Sequence, residues 1–239
     1  MDKLYIIIPA YNEEDNIRNV IKDWYPVIEK YNGDGGSRLI VIDDGSTDGT
    51  YQILKEEKCG RPLLHPLHKS NSGHGATILY GYQYAVINGA DYIFQTDADG
   101  QTLPEEFGVF WEERNQYDMI IGNRNRRKDG VSRKLVAFVL RVTIFLCFGV
   151  KIMDANTPYR LMKRKALKEL LEDVPTDFNL ANVILTVLFY KKKKRVRYIP
   201  ITFRQRQGGV NSINLLKIIK TGFHAVLDFF TINKHIFKA

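Results

Sequence analysis

The apolar positions of the N-terminal half fall into short continuous runs separated by helical patterns. Runs occur at 4–8, 39–42, 92–94 and 119–122. Such runs indicate strands buried on both faces of a parallel sheet. After the first run we interpret Asn12 as a helix N-cap, with acidic residues at 13–15 in the first turn. The alternation of strands and helices predicts an α/β fold built from βαβ units.

The same patterns predict the remaining elements. Helices are expected from a cap at Ser46 or Asp48 to about Lys58, and over about 77–88, 104–117, 163–171, 179–190 and 213–232. A short strand is expected at 160–162. Residues 196–203 alternate like an edge strand, where Pro200 is tolerated.

A 16-residue apolar run covers 135–150 and is interrupted by Arg141. It is too short and too charged to span a bilayer. Basic residues precede it, so two interpretations stay open: a core helix, or a helix lying at a membrane interface.

The charge of the chain is divided unevenly along its length. Residues 1–120 hold 10 basic and 20 acidic side chains, whereas residues 121–239 hold 25 and 7. The basic half should attract anions, and anionic lipid, a phosphorylated substrate and nucleic acid are all candidates. Two distant cysteines, Cys59 and Cys147, give no disulfide framework and suit a reducing cytosol. No N-terminal signal peptide is apparent.

Polar loops follow three of the predicted strands, at 9–13, 43–48 and 97–101. Ligands of open α/β sheets bind outside the carboxyl ends of the strands, so these loops should share one edge. Asp97 and Asp99 are two residues apart and would point to the same side, roughly 6.6 Å apart along an extended chain. A hard cation such as Mg²⁺ or Mn²⁺ would offset their repulsion, and Gln101 could add an amide oxygen. The alternative is an ordinary acidic turn.

A glycine-rich segment, Asn71 to Ala76, precedes a predicted helix. Gly73 and Gly75 permit close backbone approach, and the helix N-terminus favours an anion. The third glycine of the dinucleotide fingerprint is missing, and the P-loop motif does not occur in the sequence. These features argue against NAD enzymes and P-loop nucleotidases.

Four motifs in order, IPAYNEE at 8, VIDDGSTDGT at 41, NSGHG at 71 and TDADGQ at 96, resemble the second sequence family of glycosyltransferases. The resemblance implies the GT-A fold, a mostly parallel sheet flanked by helices. It extends less sharply to 154–160 and 200–212, as in enzymes that use dolichyl or polyprenyl phosphate. It implies a GT-A domain over 1–210, with a nucleotide-sugar and metal half at 1–125 and an acceptor half at 126–210. An amphipathic helix would occupy 211–239.

Site residues follow from this resemblance. The nucleotide-sugar pocket would comprise Pro9, Ala10, Tyr11, Glu13, one of Asp43 and Asp44, Asn71, Gly73, Asp97 and Ala98. The metal, Mg²⁺ or Mn²⁺, would bind Asp97, Asp99 and Gln101. The acceptor phosphate would lie near Arg124, Arg133, Arg206 and Ser212. Catalysis would depend on Asp97, Asp99, Arg124 and Arg206. Two departures from the family pattern are Ala137, where a serine is frequent, and Ser212, which comes one residue late.

The resulting hypothesis is sugar transfer from a UDP- or GDP-sugar to a lipid-linked phosphate, by a peripheral protein at the cytoplasmic membrane face. A membrane protein partner or a homo-oligomer is compatible with it. An alternative is the same fold acting on a glycan hydroxyl in polysaccharide synthesis. A nucleotidyltransferase would need a Gly- and Arg-rich first loop, which 9–14 lacks. A nucleic-acid-binding protein would interleave aromatic and basic residues on an exposed sheet, whereas most aromatics here lie in apolar helical stripes.

Overall fold

Seven strands make up the sheet in the part of the chain that the structure, a computed structural model, describes: residues 2–33, 35–124, 131–204 and 229, without the side chains of 131–136. The strands are β1 (Leu4–Ala10), β2 (Arg38–Asp43), β3 (Leu64–His68), β4 (Tyr92–Gln95), β5 (Met119–Asn123), β6 (Arg160–Lys163) and β7 (Val196–Pro200). Their order is β3-β2-β1-β4-β6-β5-β7.

The sheet is mostly parallel, as the sequence predicted. Strands β1 to β4 pair in parallel, and β7 pairs in parallel with β5. Strand β6 lies between β4 and β5 and is antiparallel to both. The carboxyl ends of β1, β2 and β4 therefore meet at one edge, which places the three predicted polar loops side by side.

Helices cover both faces of this sheet. They are α1 (Ile17–Lys30), α2 (Thr50–Lys58), α3 (His74–Ile87), α4 (Phe107–Glu113), α5 (Val131–Phe148), α6 (Arg164–Leu171) and α7 (Ala181–Lys191), with a 3-10 turn at Pro104–Glu106. One buried cluster contains Trp24, Phe94, Phe107 and Tyr159 and packs α1 and α4 on one face. The other face is covered by α3, α5, α6 and α7.

Most strand predictions are confirmed, but β3 was missed. Its sequence, Leu-His-Pro-Leu-His, carries Pro66 and two histidines, and of its five residues only Leu64 is buried. It lies at the edge of the sheet, where proline costs little. At the opposite edge β7 is shorter than predicted. Beyond it, Phe203 forms an isolated bridge with Thr102.

The predicted N-cap at Asn12 is wrong. Helix α1 begins at Ile17, and Asn12 has a φ of 53°, outside the helical range. Its side chain instead accepts a hydrogen bond from the backbone N–H of Thr47 at 2.9 Å, in the neighbouring loop. A contact with a distant loop thus replaces local capping.

Other helix boundaries differ modestly from the predictions. Helix α3 begins at His74, three residues before the predicted start, and the helix predicted over 104–117 is a 3-10 turn followed by the shorter α4. Helices α2, α6 and α7 lie close to their predicted ranges. The helix predicted over 213–232 lies outside the described residues, except for Phe229. That residue is buried against Phe148 and Phe178, at ring-centroid distances of 5.4 and 6.2 Å.

Helix α5 carries apolar residues on both its buried and its exposed face. Ile144, Cys147 and Phe148 are buried in the core. The opposite face is exposed and carries Phe138, Val139, Val142, Phe145 and Leu146. Among the described residues, none of the helices has the length and apolar character needed to cross a bilayer.

Candidate active site

A cavity of about 360 Å³ opens at the carboxyl edge of the sheet. It lies where β1, β2 and β4 end and where α3 begins. Its lining residues are Pro9, Ala10, Tyr11, Glu13, Asp44, Asn71, Gly73, His74, Thr77, Asp97, Ala98 and Asp99. The structure therefore brings together the three strand-end loops and the glycine segment that the sequence singled out.

Asp97 and Asp99 both line the cavity, but their surroundings differ. Oδ1 of Asp97 is buried and has no hydrogen-bond partner among the described residues, and Nε2 of His74 lies 3.8 Å away. Oδ1 of Asp99 accepts a hydrogen bond from the backbone N–H of Gln101 at 3.1 Å. A buried carboxylate oxygen without a donor is costly unless a cation supplies the missing interaction.

These carboxylates fit a hard divalent cation that completes its coordination with substrate. Within the described ranges, no group of three or more His, Cys, Asp and Glu side chains is arranged to hold a metal ion. Mg²⁺ and Mn²⁺ commonly take one or two carboxylates and fill the other positions with water and phosphate oxygens. Two carboxylates beside an open cavity match that requirement.

The structure separates the two adjacent acids Asp43 and Asp44. Asp43 is fully buried and does not line the cavity; its Oδ2 lies 2.6 Å from Nδ1 of His68. Asp44 lines the cavity and accepts hydrogen bonds from the backbone N–H groups of Ser72 and Gly73, both at 3.0 Å. Lys69 also donates to it through Nζ. Asp44 is thus the member of the pair that lines the cavity, and it also fixes the glycine segment.

Hydrogen bonds join the loops after β1 and β2 into one wall beside Tyr11. The backbone N–H of Asn12 donates to Oγ of Ser46 at 2.9 Å. In the opposite direction, the N–H of Gly49 donates to Oε2 of Glu14 at 2.7 Å. These reciprocal bonds hold the backbone on both sides of the contact in place. The side chain of Tyr11, next to them, leaves 48% of the residue's surface exposed.

Glycines allow α3 to start at the cavity. Gly73 has a φ of 90°, a conformation that side chains disfavour. A Cβ on Gly75 would lie 2.3 Å from the backbone oxygens of Phe178 and Asn179, so only glycine permits this approach. His74 and Thr77 in the first turn line the cavity and were missed by the sequence analysis, because the helix was predicted to start at 77.

Gln101 lies beside the cavity rather than in its lining. Its side-chain Nε2 donates to the backbone oxygen of Arg204 at 2.9 Å, and its own backbone oxygen accepts from the N–H of Arg204 at 2.8 Å. These two bonds tie the loop that carries Asp97 and Asp99 to the segment after β7.

The structure places Arg124 in an ion pair and outside the cavity lining. Its Nε and Nη2 donate to the two carboxylate oxygens of Asp154 at 2.8 and 2.9 Å. Burial acts to raise the pKa of Asp154, but the hydrogen bonds and charge of Arg124 outweigh it and hold that pKa below its ordinary value. Arg206, Ser212 and the side chain of Arg133 lie outside the described residues.

A model of the family described as Glycosyl transferase family 2 matches residues 5–171, a range that contains every described side chain of the cavity. The chain belongs to glycosyl transferase family 2. The family assignment confirms the resemblance that the four motifs indicated.

Relatives of this family-2 chain include two named enzymes. One, from Methanococcus voltae, is UDP-N-acetylglucosamine–dolichyl-phosphate N-acetylglucosaminyltransferase, 28% identical over 84% of this chain and 85% of its own. Another is polyprenol monophosphomannose synthase of Mycolicibacterium smegmatis, 28% identical over 93% of this chain and 88% of its own.

A solved structure shows the same fold. Glucosyl-3-phosphoglycerate synthase from Mycobacterium tuberculosis, in complex with Mn²⁺ and UDP-glucose, superposes with a TM-score of 0.68 at 15% identity. The match covers 97% of this chain and 79% of that one. The family-2 chain therefore has the GT-A architecture that was predicted.

Proposed function

We propose that this family-2 glycosyltransferase moves a sugar from a nucleotide-diphosphate sugar to a polyprenyl or dolichyl phosphate. The observation that carries the proposal is the cavity, where Asp97 and Asp99 share one lining with Tyr11 and Asp44. Relatives of similar length that act on dolichyl or polyprenyl phosphate support the acceptor class.

The donor would occupy the cavity with its base and ribose beside Pro9, Tyr11 and Glu13. Tyr11 offers an exposed ring for stacking, and Asp44 offers carboxylate oxygens for N–H or hydroxyl groups. The diphosphate would lie toward the N-terminus of α3, since free backbone N–H groups of a first helical turn favour anions.

Asp97 and Asp99 would hold Mg²⁺ or Mn²⁺ against the donor diphosphate, with the amide oxygen of Gln101 as a further ligand. A divalent ion bound there supplies Lewis-acid stabilisation of the negative charge on the leaving nucleoside diphosphate. The buried Oδ1 of Asp97, which accepts no hydrogen bond from the described residues, supports this assignment. The chain's own contribution is to hold two carboxylates together at the edge where the diphosphate arrives.

A phosphate acceptor would need no dedicated general base, whereas a hydroxyl acceptor would. A phosphate monoester has a second pKa near ~6, so it is largely ionised at neutral pH and is itself the nucleophile. It needs cationic side chains, for which the basic half is suited. Arg133, Arg206 and Ser212 remain the predicted acceptor contacts. Arg124 would approach the phosphate only by sharing its guanidinium with Asp154.

The lipid acceptor implies peripheral contact with a membrane, for which α5 is suited. Its exposed face carries five large apolar side chains, and the sequence from 131 to 153 contains four basic and no acidic residues. An apolar face flanked by cations matches an anionic lipid surface. The cytoplasmic face is our proposed location.

The test is a transfer assay combined with a binding panel. We expect UDP or GDP to raise the melting temperature, and to raise it further with Mn²⁺, because a ligand that binds only the folded state stabilises it. The nucleotide that raises the melting temperature more then identifies which sugar donors to assay. Transfer to a short-chain polyprenyl phosphate supports the proposal, whereas transfer only to a glycan hydroxyl would favour the alternative acceptor class.

A further inference from the structure

A fully buried arginine, Arg160, lies in β6, the strand next to β4 in the sheet. In the antiparallel register it is paired with Gln95 of β4, two residues before Asp97. A guanidinium is therefore enclosed in the protein interior beside the strand that leads to the acidic loop. Arginine is rarely buried in this way unless a charged partner accompanies it.

All five N–H donors of Arg160 are used, and each acceptor is neutral. Nε and Nη2 donate to the backbone oxygen of Thr157 at 3.0 and 2.6 Å, and Nη2 also to that of Ala155 at 3.1 Å. Nη1 donates to the backbone oxygen of Asn182 at 3.0 Å and to Oγ1 of Thr186 at 3.2 Å. These bonds satisfy the geometry of the guanidinium, and no carboxylate of the described residues is bonded to it.

The neighbouring acid does not supply that carboxylate. Asp154 contributes to the electrostatic surroundings of Arg160, but both of its oxygens are bonded to Arg124. The charges of Asp154 and Arg124 therefore largely offset each other. The positive charge of Arg160 remains to act on other groups nearby.

A buried tyrosine, Tyr82, links Arg160 to the metal loop. Its hydroxyl donates to Oε1 of Gln95 and lies 3.5 Å from Oδ1 of Asn182. Burial raises the pKa of Tyr82, the charge of Arg160 lowers it and the charge of Asp97 raises it. Both charges thus act at one buried hydroxyl, in a region where the low dielectric constant weakens screening.

We propose that Arg160 is a positioning residue whose buried charge offsets the carboxylates of Asp97 and Asp99 and so shifts the site from binding metal alone toward binding diphosphate. This inference rests on the proposed function. A fixed cation beside the strand that leads to Asp97 would repel a free metal ion and attract the donor diphosphate. The metal would therefore be bound most tightly together with the nucleotide.

The test measures two affinities separately in Arg160→Gln. Mn²⁺ binding is followed by electron paramagnetic resonance without nucleotide, and UDP and GDP binding by calorimetry in EDTA. We expect the dissociation constant for Mn²⁺ to fall and that for the nucleotide to rise, each by roughly threefold or more. A purely structural role would weaken both, so a parallel loss would overturn the proposal.

A second variant keeps the arginine, in case Arg160→Gln fails to fold. Asn182→Asp preserves the side-chain shape and adds a negative charge on a residue whose backbone oxygen accepts a hydrogen bond from Arg160. As in Arg160→Gln, Mn²⁺ should bind more tightly and the nucleotide more weakly. Thr186→Val is the matched control, because it removes one acceptor and leaves the charge; both affinities should stay close to those of the wild type. Unchanged affinities in Asn182→Asp would contradict the inference, whereas a wild-type protein that binds neither Mn²⁺ nor nucleotide would contradict the proposed function.

Discussion

Three aspartates face the same cavity, and their hydrogen-bond partners give them different capacities. Asp44 accepts from two backbone N–H groups and from Lys69, so its charge is already compensated. Asp99 accepts from the backbone of the following turn. In the part of the chain that the structure describes, Asp97 alone of the three has a buried oxygen with no hydrogen bond. A cation therefore gains most at Asp97, and Asp44 is better suited to fix the loop and the donor.

The first prediction concerns Asp97→Asn. We expect sugar transfer to fall by at least about 100-fold, because one carboxylate less would hold the metal, and metal stabilisation of a leaving group is worth several kcal/mol. Mn²⁺ binding should weaken in parallel, while the melting temperature stays the same or rises. Asp15→Asn, at an exposed carboxylate outside the cavity lining, is the control and should keep full activity. Wild-type transfer by Asp97→Asn would refute the metal assignment.

The second prediction concerns the ion pair of Asp154 and Arg124. The pKa of Asp154 is lowered in the folded protein, so the pair stabilises the fold above the unfolded value of 3.8 and loses this effect as the pH falls through the folded value. Asp154→Asn should cost ~2 kcal/mol of unfolding free energy at pH 7. Below pH 3.8 the difference from the wild type should shrink. Urea unfolding at several pH values measures it, and a difference independent of pH would contradict the explanation.

At the scale of single residues, the sequence identified most of the cavity lining but not the hydrogen bonds that connect its loops. Asp97, Tyr11 and Asp44 follow buried strands, so the parallel sheet alone predicts that they meet. The bond from Lys69 to Asp44 spans 25 positions and has no local signature. The same is true of Asn12, whose partner lies in another loop.

At the scale of elements, α5 combines a core helix with an exposed apolar surface. Its buried residues, including Ile144, contact the α7 side of the core, and the opposite face points outward. The sequence left a core helix and an interfacial helix open, because a 16-residue apolar run interrupted by Arg141 satisfies both patterns. Strand β3 was missed for the opposite reason, since its composition resembles a loop and its pairing with β2 supplies the order.

The third prediction tests α5 as a lipid-binding surface. Leu146→Ser changes a side chain that is 73% exposed and should weaken binding to anionic vesicles about tenfold, because inserting a leucine is worth ~1.5 kcal/mol or more. Stability should change little. Ile87→Ser is the matched control, since Ile87 is 82% exposed at the end of α3. Equal effects of both substitutions in a vesicle co-sedimentation assay would argue against a specific role of α5.

At the scale of the whole molecule, the acidic and the basic half of the sequence supply different parts of the fold. The first 120 residues are acidic and supply β1 to β4 and all of the cavity lining, whereas the basic remainder supplies α5, α7 and the outer strand β7. The sheet order was not predictable in detail, because β6 inserts antiparallel between β4 and β5. That insertion depends on long-range pairing rather than on a local pattern.

The fourth prediction follows from this asymmetry. Vesicle binding should increase with the fraction of anionic lipid and weaken steeply between about 0.05 and 0.5 M NaCl, because the Debye length falls below ~10 Å. Nucleotide binding within the cavity should respond less to salt. A flotation assay measures the first and calorimetry the second. Vesicle binding that is indifferent to salt and lipid charge would leave the basic half without an electrostatic role.

The paired bonds between Gln101 and Arg204 have a practical consequence for exchanging parts among relatives. Glu106 reinforces this junction by accepting the backbone N–H of Thr202 at 2.9 Å. A chimera that replaces everything after β7 would keep these bonds only where the new segment follows the same backbone path and has no proline at positions 202 and 204, because the segment contributes only backbone N–H and C=O groups. The side-chain partners, Gln101 and Glu106, lie in the acidic half of the sequence, so both have to be retained when the segment after β7 is exchanged.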